Sequence, residues 1–202
     1  IRHDGSGTVH IDNAATGTIR AAVGAGVRLN DGDALVNRGE ISSAGGAAIQ
    51  LDGNNNDVVL GAGSVLNDNG TAAIVSHGVG NTLRLIESGS EDGNITASAG
   101  HGLAELTADA GSDWTLGGNI TLGGDSGATL GVNGRLTLGG TVSQDGGGGT
   151  TIGGTGQLTV GRGGTSGMID GNIANAGALV FDRRDSARFD GVLSGSGSLT
   201  QV

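Results

Sequence analysis

The chain has 202 residues, 45 of them glycine, with no proline or cysteine, one tryptophan, two phenylalanines and a formal net charge of −10. The missing cysteine excludes a disulfide scaffold, a zinc ribbon and a thiol enzyme. The acidic balance, with arginines scattered from Arg2 to Arg188, offers no basic stripe to nucleic acid, and no run of roughly eighteen apolar residues exists to insert into a membrane.

In chain order, Ile1-Arg2-His3 opens without a signal peptide, so a processed piece of a longer chain is expected. Gly46 to Gly63 is then answered by Thr71 to Ser88: Ala47, Ala48, Ile49, Gly53, Asn56, Val58 and Leu60 align with Ala72, Ala73, Ile74, Gly78, Asn81, Leu83 and Leu85. A repeat of this period predicts a solenoid, in which no unit buries its apolar face alone. Spacing of two at Val58/Leu60, Leu83/Leu85, Leu136/Leu138 and Leu158/Val160 predicts short strands. Gly, Asn, Asp or Ser closes each one, as at Asp52-Gly53, Asn69-Gly70, Asp92-Gly93 and Asn133-Gly134. Only Ala97 to Ala110 keeps a helical alternative.

So many glycines inside strands would each cost roughly 0.5 to 1 kcal/mol, which places them mainly at corners needing positive φ. The absence of proline fits a backbone whose N–H groups all serve neighbouring rungs. Disorder is the competing reading of a glycine-rich, acidic chain. The alternate placement of Leu, Ile and Val argues against it. The fold expected is all-β, a right-handed parallel β-helix of about 20 to 25 residues per coil and roughly eight to ten coils.

From Gly156 the sequence runs GQLTVGRGGTSGMIDGNIANAGALVFDRRDSARFDGVLSGSGSLTQV. Here Asn175, Gly177, Leu179 and Phe181 form one block, and Phe189, Gly191, Leu193, Ser194, Gly195, Gly197, Ser198, Leu199 and Thr200 a second. Together they resemble the passenger domain of bacterial type V autotransporters, in the segment near the autotransporter-associated β-strand repeat. Gln201 stands where that pattern commonly has lysine. Ala47 to Val65 shares a looser resemblance, and Val36 to Ile41 is similar to filamentous haemagglutinin-type repeats.

The resemblance implies residues 1–155 as passenger coils and 156–202 as C-terminal coils of the same solenoid. In the latter, Asn175, Gly177, Leu179, Phe181, Phe189, Gly191, Leu193, Gly195, Gly197 and Leu199 are structural or folding-nucleus candidates. It further implies a non-enzymatic adhesion or self-association rod, secreted by or displayed on a Gram-negative bacterium. Its partners would be a host cell-surface protein or glycan, or sister passengers, with its own translocator barrel outside this chain. A stalk presenting a separate effector and a glycan-degrading β-helix enzyme are the alternatives.

The chemistry-bearing residues favour the non-enzymatic reading. Asp31/Asp33, Glu87/Glu91/Asp92, Asp109/Asp113 and Asp182/Asp185/Asp190 could pair as acid and base, but all sit among turn formers, where Asp is a solvated corner residue. Asp182-Arg183-Arg184-Asp185 reads as a polar loop with internal ion pairing. His3, His10, His77 and His101 lack metal-ligand spacing, although His77 and His101 fall about one coil apart. Gly5-Ser6-Gly7 and Gly195-Ser196-Gly197 are corners and not nucleophile elbows. Gly117-Gly118-Asn119 and Gly123-Gly124-Asp125 lack the full calcium-repeat spacing, and Gly146 to Gly149 reads as a flexible loop between coils. Asn94-Ile95-Thr96 and Asn119-Ile120-Thr121 are accidental sequons. Asn54, Asn55, Asn56 and Asn81 suit amide ladders between coils. Trp114, aligned with Leu83, is expected in the core and not as a sugar platform. No catalytic residue, cofactor or metal is assigned.

Overall fold

A computed structural model describes residues 1–98, 101–123 and 127–202. It is an all-β parallel solenoid of about eight turns, whose three faces are ladders of short strands. The first face stacks His10–Asn13, Ala34–Asn37, Asp57–Leu60, Asn81–Leu85, Leu103–Ala108, Thr129–Val132, Gly149–Ile152, Asn172–Asn175 and Leu193–Ser194. The third face stacks Val27–Leu29, Ile49–Leu51, Ile74–Ser76, Ile95–Ala97, Ile120–Leu122, Thr141–Gln144 and Met168–Ile169. Leu103 also pairs with Leu122, which joins these faces into one 16-stranded sheet.

The second face is broken. Thr18–Ala21, Glu40–Ser43 and Val65–Asn67 form one ladder. Ser88–Glu91, Asp113–Leu116, Arg135–Leu138, Gln157–Gly164, Ala178–Arg183 and Ser198–Gln201 form another, and no pairing joins Asn67's strand to Ser88's.

The repeat is in the expected register: Ile49 opposes Ile74, Val58 opposes Leu83 and Leu60 opposes Leu85. Every second residue points inward, so aliphatics stack into columns. Leu35, Val58, Leu83, Leu106 and Leu130 form one, and Val27, Ile49, Ile74, Ile95 and Ile120 another, all buried. Burying such side chains contributes about 1.5 to 3 kcal/mol each.

Four expectations are corrected. Ala97 to Ala110 lies partly outside the described residues, and among those described Leu103–Ala108 is a strand and not a helix, held because Leu106 and Ala108 continue two inward columns. Gly146 to Gly148 do connect two strands, but as a tight corner with one 3-10 turn at Asp145–Gly147, and Gly149 already begins a strand. Trp114 does not correspond to Leu83; it lies on the second face between Gly89 and Leu136, although its burial in the core holds. Positive φ accounts for only sixteen of the described glycines. Many others are fixed by stacking, because the next coil's corner passes over the last. A Cβ on Gly118 or Gly140 would strike the carbonyl of Gly93 or Gly118 beneath it.

Candidate functional site

The corners are organised by asparagine and aspartate. Backbone N–H groups of Val9, Asp33 and Asn56 donate in turn to the side-chain oxygens of Asp33, Asn56 and Asn81, one coil further on, at 2.7, 2.9 and 2.8 Å. Asn56 Nδ2 also donates to Asn81 Oδ1 at 3.0 Å, the expected amide ladder. Neighbouring ladders run the other way: the N–H of Asn119 donates to Asn94 Oδ1, and that of Thr141 to Asn119 Oδ1, both at 2.9 Å. Both sequon asparagines are thus used within the solenoid.

Asp33 is a correction. It is buried at 1% exposure, not a solvated corner. Besides Val9 it accepts from the Asn30 N–H at 2.7 Å and faces His3 Nδ1 at 2.8 Å. Burial alone would raise its carboxyl, but the Asn30 and Val9 N–H groups and His3 outweigh that and hold it below its usual range.

Several other carboxylates are tied to arginine. Arg28 pairs with Asp52, Arg84 with Asp109, and Arg188 with Asp190. Arg183 Nε donates to Asp185 Oδ1 at 3.0 Å, the ion pairing expected of that stretch. Arg38 reaches Glu87 at 3.4 Å, while the Ala62 N–H and Arg38 hold the Glu87 carboxyl below its usual range. Arg162 crosses the Gly139 and Gly117 corners to meet Asp92 at 3.3 Å. No group of three metal-ligating side chains exists among the described residues. The Gly123-Gly124-Asp125 fragment lies partly outside them.

Histidines 77 and 101 do not occupy matched rungs. Ser76 opposes Ala97, which puts Ser98 beside His77, and Ser98 Oγ lies 2.6 Å from His77 Nδ1. The His101 N–H donates to the Ser98 carbonyl at 2.9 Å instead.

The C-terminal candidates fall into two corners and a terminal rung. Asn175 accepts from the Gly177 N–H at 3.0 Å and donates to the Ser198 carbonyl at 2.8 Å, and a Cβ on Gly197 would meet its Oδ1 at 2.5 Å. Phe181 and Phe189 meet in a tilted pair with centroids 6.3 Å apart and planes at 48°, and Gly191 lies against the Phe189 ring. Leu179 is buried; Leu193 and Leu199 pair with Ile173 and Leu179 but are exposed, and Gly195 has φ 108°. Phe181, Phe189 and Met168 wall a cavity of about 410 Å³.

A cleft of about 940 Å³, open to solvent, lies where the second-face ladder breaks. Glu91 is at its floor. In register it heads the inward column Leu116, Leu138 and Val160, so a carboxyl occupies a position that is aliphatic on the next three rungs. Two residues earlier, Gly89 replaces the leucine expected in the Trp114, Leu136, Leu158 column. Sequence reasoning grouped Glu91 with Glu87 as corner residues. The structure keeps Glu87 at the corner, with φ 60°, and puts Glu91 at the far end of the strand that follows, since only pairing with Asp113–Leu116 reveals that Ser88–Glu91 is a strand.

Glu91 Oε1 accepts the Gly93 N–H at 2.8 Å. Burial pushes its carboxyl above the ordinary value, the Gly93 and Leu66 N–H groups oppose this, and the neighbouring Asp68 and Asp92 add to the rise. Asp33 and Glu91 therefore act on stability with opposite sign. The depressed Asp33 contributes stability that is lost as pH falls through its folded value. The raised Glu91 withdraws stability as pH climbs from its unfolded value, about 4.5, through its folded one. Urea midpoints measured against pH should show Glu91→Gln abolishing the decline above about pH 4.5, and Asp33→Asn flattening the acid-side fall.

Comparison with known proteins finds no matching family model and no matching solved structure. A 41-residue stretch, 20% of this chain and 1% of the relative, is 58% identical to the adhesin BmaC autotransporter of Brucella suis biovar 1 (strain 1330). The match thus spans a very small part of that relative's length. The chain is a parallel β-solenoid similar over one fifth of its length to an autotransporter adhesin.

Proposed function

We propose that this chain is a length of the passenger of an autotransporter adhesin, secreted by or displayed on a Gram-negative bacterium, and that it works without catalysis. The observation that carries the reading is the 58% identity to an adhesin on a chain built as a parallel β-solenoid. A ladder of parallel rungs lengthens by about 4.8 Å per coil, so nine first-face rungs give a rod of roughly 40 Å with continuous side faces. The partner is a host cell-surface protein or glycan, or a sister passenger. The C-terminal coils, residues 156–202, are proposed to seed folding.

The test is display of the passenger with these coils exchanged for an unrelated β-solenoid of equal coil number. Loss of host-cell attachment or of cell-cell aggregation is expected. Both activities surviving intact would instead make this region a stalk, a reading favoured by the internal pairing of most charged groups. For the C-terminal coils, Asn175→Ala is expected to slow refolding of the whole chain several-fold, because it removes the contact joining two successive corners. Stopped-flow refolding at unchanged rate would reject that role.

A further inference from the structure

The cleft at the break of the second-face ladder holds features that the solenoid itself does not require. Everywhere downstream, the column headed by Glu91 is aliphatic through Val160, and a leucine at residue 91 would continue it. A carboxyl at 8% exposure is costly to bury, and backbone hydrogen bonds from Gly93 and Leu66 offset only part of that cost. Such local inconsistency is expected where a site is built.

A second carboxyl stands beside it. Asp68 Oδ2 and Glu91 Oε1 each lie 3.0 Å from the position a Cβ on Gly93 would take, so the two oxygens are within twice that distance of each other. Around them the cleft presents Ser42, Asn67, Thr71 and Asn94, hydroxyls and carboxamides on three successive coils.

The lining also states what the cleft rejects. Leu66 is its one large aliphatic, itself buried, and no aromatic is present, so a polypeptide partner would find no anchor side chain. Arg20, its one cation, is engaged by Glu40 at 3.1 Å, and Asp92 is engaged by Arg162 at 3.3 Å, leaving Asp68 and Glu91 to repel acidic ligands. What remains favoured is an uncharged ligand dense in hydroxyl groups, each able to donate to a carboxylate and accept from a carboxamide or hydroxyl. The volume suits more than one sugar ring, within the size usual for ligand sites.

We propose that this cleft binds a neutral oligosaccharide, with Asp68 and Glu91 gripping sugar hydroxyls at its floor and Ser42, Asn67, Thr71 and Asn94 along its sides. The proposal rests on the adhesion reading and names its ligand class. Recognition is by hydrogen bonds in place of ring stacking.

The test uses the 202-residue chain on an array of neutral oligosaccharides ending in glucose, galactose, mannose or N-acetylhexosamine, beside sialylated and sulfated ones, with positives measured by calorimetry. At least one neutral glycan should bind, tenfold or more weakly to both Glu91→Leu and Asp68→Asn. Glu91→Leu should meanwhile keep or raise the urea midpoint, since it completes an aliphatic column. Asp68→Asn, partly exposed, keeps the test valid whatever Glu91→Leu does to folding. Binding confined to sialylated or sulfated glycans, binding unchanged in both variants, or no binding at all would each overturn the proposal. Attachment of displayed Glu91→Leu passenger to host cells separates the two readings. Intact attachment without glycan binding defeats the cleft alone, and lost attachment on coil exchange still supports adhesion.

Discussion

Replacing Trp114 with alanine is expected to lower the unfolding free energy by about 3 to 5 kcal/mol, the usual loss for a buried aromatic. The indole is 1% exposed, and its Nε1 donates to the Ile86 carbonyl at 2.9 Å. It occupies space that its own column leaves open, for a Cβ on Gly89 would lie 2.5 Å from the ring. The cavity left by Trp114→Ala would open directly beneath the coil at which the second-face ladder is already broken, where no strand pairing can take up strain. Urea unfolding followed by far-UV circular dichroism checks this, since the variant has no tryptophan to report. A loss under about 1 kcal/mol would mean that the column collapses freely around the gap. Gly89→Val, which forces side-chain atoms into the ring, should cost a comparable amount, and Gly89→Ala less.

Replacing Asn81 with alanine is expected to cost about 2 to 4 kcal/mol, because it strands several buried groups at once. Asn81 accepts from both the backbone N–H and Nδ2 of Asn56, and its Nδ2 donates to the Gly53 carbonyl at 3.1 Å and to Ser76 Oγ at 2.9 Å. All of these lie in a fully buried corner. Asn81→Asp retains the acceptor but loses both donations and sets a buried carboxylate oxygen against the Gly53 carbonyl, so it should cost at least as much as Asn81→Ala. Trp114 fluorescence, reporting from a nearby coil, and circular dichroism should both follow the loss. Coincident curves would show that the corner is coupled to the whole solenoid; a separate early transition would show that coils fray independently, as nearest-neighbour stacking permits.

Periodicity was legible from Ile49, Val58 and Leu60 against Ile74, Leu83 and Leu85, because stacking coils demands the same residue type at the same place and sequence alignment reads that directly. The amide ladder of Asn56 and Asn81 was legible for the same reason. Trp114 shows where the method slips. Its local pattern resembles that around Leu83, yet three faces share one alternating code, and only hydrogen-bonded register tells which face a segment occupies.

The sequence by itself determined a parallel solenoid of short strands, since spacing-two aliphatics, glycine corners and a recurring unit are local properties of the chain. Only the tertiary structure decided what the polar residues do. Asp33 and Glu91 look like their solvated neighbours in one dimension, and their burial arises from which coil passes above and below them. The break after Asn67 is likewise a failure of pairing between two segments, a relation that neither segment carries alone.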